Sequence, residues 1–350
     1  MVTIWDVAKR AGVSKSTVSL VLNSSPLVKE ETRKKVLDAI KALKYVPNYN
    51  ARSLIMRKNN SIGVIHTLRS TRPLGEHYEW NYGLEQFSSS VEDGVFAAIM
   101  DLDTDISVIK EHFDLSAEKK EMPKILRNRR VDGAIFIGGF DNADVFDFMK
   151  SIEVPIVLVT SSLKIDGIDT VLHDPAMGSK IAMRKFIETG HKRLCLVNCP
   201  RDYRVWPKRI EGVMAAADEC GYEVDPELLI SPEKNTAQSA YTAFNALLDK
   251  GVCPDAVLTA NNDMMMGVLR SLYERRIRVP DDISVICYED SNFCGSMAPA
   301  ISAINIQKEM IGRTALSFLL DRMENPDLPA RYFTVEPCLV MRDSVLDRRK

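Results

Sequence analysis

The run Thr3-Ile-Trp-Asp-Val-Ala-Lys-Arg-Ala-Gly-Val-Ser-Lys-Ser-Thr-Val-Ser-Leu-Val-Leu-Asn23 constrains this chain more than any other stretch. It reads as two short helices joined by a tight turn. Thr3 caps the first helix, and Asp6 three residues later completes a capping box. Ala8 is small where a partner helix must approach, and Gly12 can take the left-handed conformation that ends a helix. Ser14 offers a second cap, while Val18, Val21 and Leu22 fall on one face of the next helix. An ordinary αα-hairpin does not require capping, turn and packing signals to coincide in this way. The spacing predicts a helix-turn-helix, whose second helix enters a DNA major groove.

Charge supports that expectation. The whole chain is nearly neutral, with 46 basic and 48 acidic residues. Residues 1–60 nevertheless hold 12 Lys or Arg against four acids, and the remainder holds 34 against 44. A basic arm on an acidic body suits a polyanionic partner.

At 350 residues the chain exceeds what one hydrophobic core usually supports. With 45% hydrophobic and 27% charged residues, its composition is that of an ordinary soluble globular protein. No stretch approaches the ~18 apolar residues of a membrane span. The N-terminus enters a helix pattern directly, without a charged-then-apolar signal segment. The seven cysteines are odd in number and several sit in apolar runs, so they read as free thiols of a reducing cytoplasm. Cys195 and Cys199 are four apart, but no His or Cys pair completes a metal set.

Residues 29–43 predict a third helix, with Val36, Leu37, Ile40 and Leu43 as its packing stripe. Pro47 breaks the pattern. Residues 48–58 are short and basic, with Ala51, Leu54 and Ile55 at helical spacing. This segment either orders on DNA, with Leu54 as a minor-groove wedge, or is a flexible tether. From Ser61 onward, short apolar runs alternate with amphipathic helical segments. Buried strands are expected at 62–67, 95–100, 133–138, 155–160, 194–198, 256–260 and 283–288. Helices are expected at 82–91, 179–189 and 210–220. The alternation predicts an α/β fold with doubly wound parallel sheets, long enough for two lobes with a ligand cleft between them.

The chain resembles the LacI/GalR transcriptional regulators along essentially its whole length. The strongest match is Ile4-Trp-Asp-Val-Ala-Lys-Arg-Ala-Gly-Val-Ser14 with Thr17-Val-Ser19, followed by Tyr45-Val-Pro-Asn48. Val131-Asp-Gly-Ala134, Gly190-His-Lys-Arg193, Arg209-Ile-Glu-Gly212, Ala260-Asn-Asn-Asp-Met-Met265 and Val279-Pro-Asp-Asp-Ile-Ser-Val285 come in the right order. The resemblance implies a helix-turn-helix headpiece at 1–46 and a hinge helix at 47–60. A periplasmic binding protein-like core follows, with an N-lobe at 61–160 plus 292–322 and a C-lobe at 161–291 plus 323–345. The family works as a homodimer in which a ligand alters lobe closure, hinge ordering and operator affinity. The short tail after Val345 has no heptad repeat, so a dimer is expected over a tetramer.

Carried over position by position, Lys15 and Ser16 read base edges, and Thr17 and Ser19 contact phosphates. Thr3, Asn23, Tyr45, Asn48, Ala51 and Leu54 complete the DNA-binding set. Position 20 commonly holds an arginine able to grip guanine. Here it is Leu20, which either touches a thymine methyl or packs inside the headpiece. In the effector site, Arg209 would hold ligand hydroxyls or a carboxylate. Asn262 is a candidate contact, with Asp263 structural. Glu289 replaces an aspartate that clasps sugar hydroxyls, and Thr160 stands where many members carry another. Trp206 offers either an aromatic face or packing under a loop, and Tyr78 lies in a segment expected to line the cleft. Fewer carboxylates argue against a typical free hexose and toward an acidic or phosphorylated sugar.

Enzyme readings find little support. The five histidines are scattered, and neither a nucleotide-binding glycine pattern nor a nucleophile elbow is present. Asp101, Asp103 and Asp105 read as a solvated acidic loop rather than a calcium site. The expectation is a cytoplasmic, nucleoid-associated regulator, most simply a repressor of carbohydrate or related catabolic genes. It needs no cofactor, metal or membrane. Its partners are palindromic operator DNA, a small-molecule effector and a second copy of itself. An activator, or a solute receptor or enzyme on the same core, is the alternative.

Overall fold

The computed structural model describes residues 2–22, 25–45, 59–68, 82–114, 122–138, 144–160, 164–203 and 205–349. The chain forms two compact units, Met1–Asn59 and Asn60–Lys350.

The first unit holds α1 (Ile4–Ala11), α2 (Lys15–Leu22) and α3 (Glu30–Leu43). The Thr3 amide and hydroxyl both donate to Asp6 Oδ2 at 2.8 Å, fixing the start of α1. Gly12 ends it at φ 67°, and its amide donates to the Ala8 carbonyl. Ser14 Oγ accepts the Thr17 amide at 3.1 Å and so starts α2. Val7, Ala8, Val18, Val21, Val36 and Ala39 form the small core. Leu37, expected in the α3 stripe, is half exposed instead. The buried stripe runs through 36, 39, 40 and 43, and Leu37 lies about 100° round the helix from Val36. The hinge expected at 47–60 lies outside the described residues except for Asn59 and Asn60.

The second unit contains two six-stranded sheets. In chain order its elements begin with β1 (Ser61–Leu68), α4 (Tyr82–Met100), β2 (Ser107–Asp114), α5 (Lys124–Arg127), β3 (Gly133–Ile137) and α6 (Asp144–Lys150). There follow β4 (Ile156–Thr160), β5 (Asp169–His173), α7 (Pro175–Glu188), β6 (Leu194–Val197), α8 (Val205–Cys220), β7 (Leu229–Ile230) and α9 (Ala237–Asp249). The chain continues with β8 (Ala256–Thr259), α10 (Asn262–Glu274), β9 (Ser284–Tyr288), α11 (Asn292–Ser296) and β10 (Ser302–Asn305). It ends with α12 (Lys308–Glu324), β11 (Tyr332–Val335) and β12 (Cys338–Val340).

The N-lobe sheet has the order β11-β5-β4-β3-β1-β2, all parallel. The C-lobe sheet has the order β12-β10-β9-β8-β6-β7, parallel except for its β10–β12 edge pair. Both faces of each sheet are covered, which is why the strands read as continuous apolar runs rather than alternating ones. On β1, Ile62 and Val64 pack against Val91 and Val95 of α4 and Ile311 of α12. Ile65 faces the opposite layer, with Phe113, Ile125 and Phe136.

Two expectations are corrected. Residues 95–100 are not a strand but the second half of α4. Gly94, inside this helix, is a crossing point: a Cβ there would lie 2.2 Å from the Glu309 carbonyl oxygen. The lobe boundaries also move. The chain leaves the N-lobe after β5 rather than at 160, re-enters it between β10 and α12 rather than at 292, and leaves again between β11 and β12 rather than at 323. Hydrophobic runs show where strands lie, but not which sheet accepts them. Pairing decides that, and β5 pairs with β4 while β10 pairs with β9.

Candidate DNA-reading surface and effector site

In the headpiece, α2 sorts its residues by face. Val18 and Val21 are buried, Thr17 and Ser19 are half-buried, and Lys15 and Ser16 are exposed. Leu20 is 38% exposed, which removes the alternative that it packs inside the headpiece. The Ser16 and Thr17 hydroxyls lie 2.7 and 2.8 Å from Ser14 Oγ, so the cap also orients the first side chains of the recognition helix. Tyr45 packs half-buried against the headpiece core, and Thr3 is exposed. Asn23, Asn48, Ala51 and Leu54 lie outside the described residues.

Sequence reasoning passed over Trp5. Its ring is 65% exposed, and the Lys15 ammonium lies 5.5 Å from the ring centroid. Together with Lys9, Ser14 and Ser16 they border a hollow of about 430 Å³. Its exposure is a property of the fold, so the sequence carried no separate signal for it.

In the second unit, the carboxyl ends of the strands carry the polar residues, where ligands bind in open α/β sheets. Arg209, on α8, is only 8% exposed, and its guanidinium lies 4.7 Å from the centroid of Tyr288. Its Nε has no hydrogen-bond partner among the described residues. Tyr288 ends β9 and donates its hydroxyl to the Asp174 carbonyl at 3.2 Å. Burial raises the Tyr288 phenol well above its ordinary range, so it stays a donor. His173, the last residue of β5, was also missed in the sequence. It is 8% exposed, its Nδ1 has no partner among the described residues, and its ring centroid lies 5.9 Å from that of Phe87. Burial, then the charge of Arg209, pushes its pKa down to about 3, so the imidazole is neutral.

Glu289, a candidate effector contact, is engaged in an ion pair. Its Oε1 accepts from Lys308 Nζ at 3.2 Å, and that ammonium also donates to the Asp290 carbonyl at 3.0 Å. Lys308 opens α12, an N-lobe helix, so the pair ties the lobes beside a crossover. Burial raises the Glu289 pKa, with Lys308 opposing it. Glu289 also holds φ 91°, a backbone conformation few side chains adopt.

Asn262 is buried at the start of α10, and its Oδ1 accepts from Ser291 Oγ at 2.9 Å. The helix cap is its neighbour Asn261, whose Oδ1 accepts the Met264 amide at 2.9 Å. The Trp206 indole donates to Ser231 Oγ at 2.6 Å, and the Arg201 guanidinium lies 5.6 Å from its ring. Thr160 is buried at the end of β4. The structure thus gathers Arg209, His173, Tyr288, Glu289 and Lys308 at the crossovers. Trp206 stands one turn before Arg209 on α8. Tyr78 lies outside the described residues. Asp101, Asp103 and Asp105 are exposed, and Asp101 pairs with Arg313 at 2.6 Å. Among the described residues no cluster of three or more His, Cys, Asp or Glu could hold a metal ion, and no helix is long and apolar enough to cross a membrane.

Residues 3–48 match the bacterial regulatory proteins of the lacI family, and residues 183–345 match a periplasmic binding protein-like domain. The chain is 31% identical over 346 residues to the HTH-type transcriptional repressor PurR of Mannheimia succiniciproducens, covering 99% of both chains. It is 30% identical to the probable HTH-type transcriptional repressor ExuR of Bacillus subtilis, covering 99% of this chain and 98% of that one. Among solved structures, a complex of the transcriptional regulator CelR with cellobiose matches at 26% identity and a TM-score of 0.66. That match covers 98% of this chain and all of the other. The lac repressor dimer bound to operator and the anti-inducer ONPF matches at 24% identity, with a TM-score of 0.78 over 99% of each chain. Both the helix-turn-helix and the two-lobed core therefore have full-length counterparts, and the chain belongs to the LacI family of DNA-binding transcription regulators, which are not enzymes.

Proposed function

We propose that this regulator is a cytoplasmic, nucleoid-associated repressor of carbohydrate or related catabolic genes. It binds a palindromic operator as a homodimer and responds to a small molecule held between its lobes. The observation that carries the reading is the sorting of α2, with its valines buried and Lys15, Ser16 and Leu20 presented to solvent. A recognition helix needs just such a face for base edges. Thr3, Thr17, Ser19, Asn23, Tyr45 and Asn48 hold the backbone of each half-site, while Ala51 and Leu54 of the hinge enter the minor groove at its centre. Thr160, Tyr78, Trp206, Arg209, Asn262 and Glu289 form the surroundings of the effector, with Glu289 acting through Lys308. Two-fold half-sites and a two-fold dimer imply one another.

Selection of bound sequences from random DNA, followed by anisotropy titrations at several salt concentrations, tests the proposal. A palindromic site whose affinity falls steeply with salt supports it. Sequence-independent binding, or none, overturns it. Leu54→Ala is expected to weaken the selected operator by about tenfold or more while sedimentation still reports a dimer. Equal affinity of both proteins at matched salt excludes the wedge.

A further inference from the structure

We propose that the effector carries an oxyanion with a neighbouring hydroxyl, and that His173 reads that hydroxyl beside Arg209. The inference rests on the two-lobed effector site of the preceding reading. Arg209 is more than nine-tenths buried, yet among the described residues no carboxylate lies within ion-pairing distance of it, and its Nε–H donates to nothing. Glu289, which feels the charge of Arg209, is itself engaged by Lys308 at 3.2 Å. Its partner on the other side is the face of Tyr288, which offers only a quadrupole. A buried guanidinium without a counter-ion is costly, and an incoming anion removes that cost.

His173 is the independent second observation. It is equally buried and its Nδ1 has no partner among the described residues. It ends β5 in the N-lobe, one residue before the Asp174 carbonyl that receives the Tyr288 hydroxyl, so it stands at the same crossover as the stack of Arg209 on Tyr288. Burial keeps the imidazole neutral, so it brings no competing charge and can exchange one hydrogen bond with a hydroxyl. A guanidinium and a neutral imidazole on opposite lobes suit a polyhydroxylated acid or a sugar phosphate. A neutral sugar would leave the guanidinium uncompensated. The two lobes would each hold one end of such a ligand, which couples its binding to closure.

The test is calorimetry on the full chain with glucose, glucuronate, galacturonate, gluconate and glucose 6-phosphate, each at matched ionic strength. A response to the uronates or gluconate identifies the oxyanion as a carboxylate, and a response to glucose 6-phosphate alone identifies it as a phosphate. Either supports the proposal, provided glucose binds at least about tenfold more weakly. Arg209→Gln is expected to weaken the responding anion by about tenfold or more, with Arg209→Lys intermediate. His173→Phe should weaken it several-fold and His173→Asn, which keeps a polar atom near Nδ1, should recover most of that loss. Thermal melts of each variant separate misfolding from lost binding. Glucose binding as tightly as its acids, or a folded Arg209→Gln with unchanged affinity, overturns the proposal. So does silence toward every anion in a protein that binds its selected operator. Failure to select any operator instead overturns the reading on which it rests.

Discussion

At the scale of single residues, the proposed docking of α2 makes Leu20 the position that limits what the helix can read. A leucine offers a thymine methyl an apolar contact but cannot donate to guanine. Leu20→Arg is expected to move the preferred base opposite this position toward G·C by about 1–3 kcal/mol of discrimination. Selection from random DNA with both proteins measures the shift, and identical preferred sequences would contradict it. Asp169 is the counterpart in the core. Its side chain is wholly buried, and it accepts from the Arg331 amide and from the guanidinium groups of Arg322 and Arg331, each at 2.8 Å. Burial pushes its pKa up, but the bonds from Arg331 and Arg322 outweigh that and hold it below the usual 3.8. Its contribution is thus present above pH 3.8 and lost as pH falls through its lowered value. Asp169→Asn keeps the shape but takes the carboxylate from the half-buried Arg322 and Arg331, of which Arg331 keeps Asp321 at 2.8 Å, and is expected to cost roughly 3–5 kcal/mol in urea unfolding at pH 7.

At the scale of elements, the helices that cover the sheets are held at close range by small residues. Where α4 crosses α12, a Cβ on Gly312 would sit 2.0 Å from the Val91 carbonyl oxygen. Neither backbone can retreat without disturbing Val91, Val95 and Ile311 in the core beneath. Gly312→Ala is expected to destabilise the core by about 1–3 kcal/mol despite a gain in helix propensity. A melting temperature equal to or above the parent's would show that the crossing can relax. The headpiece uses glycine differently. Gly12 has no atom within 4 Å of an added Cβ and is needed for its left-handed φ alone.

For the whole molecule, the crossovers bring together groups far apart in the chain, and buried histidines make the assembly sensitive to acid. His173 is neutral in the fold with a pKa of about 3, whereas the unfolded chain takes up a proton below about 6.5. Its contribution is complete above pH 6.5 and declines as pH falls toward 3. His191, held low by burial, acts in the same direction. Stability is therefore expected to fall on acidification from pH 7 to 4, with His173 contributing up to about 1.4 kcal/mol per pH unit. A folded His173→Gln should reduce that slope. Urea unfolding across this range checks it, and an unchanged slope would refute the assignment.

The helix-turn-helix was legible in the sequence because its signals are local. Thr3, Asp6, Gly12 and Ser14 act within three or four residues of the groups they cap, and the structure places each where the spacing indicates. The α/β class was legible for a related reason, since strand and helix periods are written along the chain. Pairing is not written there. Which sheet takes β5 or β10 depends on partners elsewhere, so the lobe boundaries followed the sheets rather than the hydrophobic runs. The candidate effector site lay further out of reach. Tyr288 meets Asp174 across 114 positions, and Glu289 gives its carboxylate to Lys308 across a crossover. Arg209 could be marked from its motif alone. That it is buried with no counter-ion among the described residues, beside a His173 whose Nδ1 likewise finds no partner among them, was decided by tertiary structure, because burial and charge neutralisation belong to the surroundings of a side chain rather than to its position in the sequence.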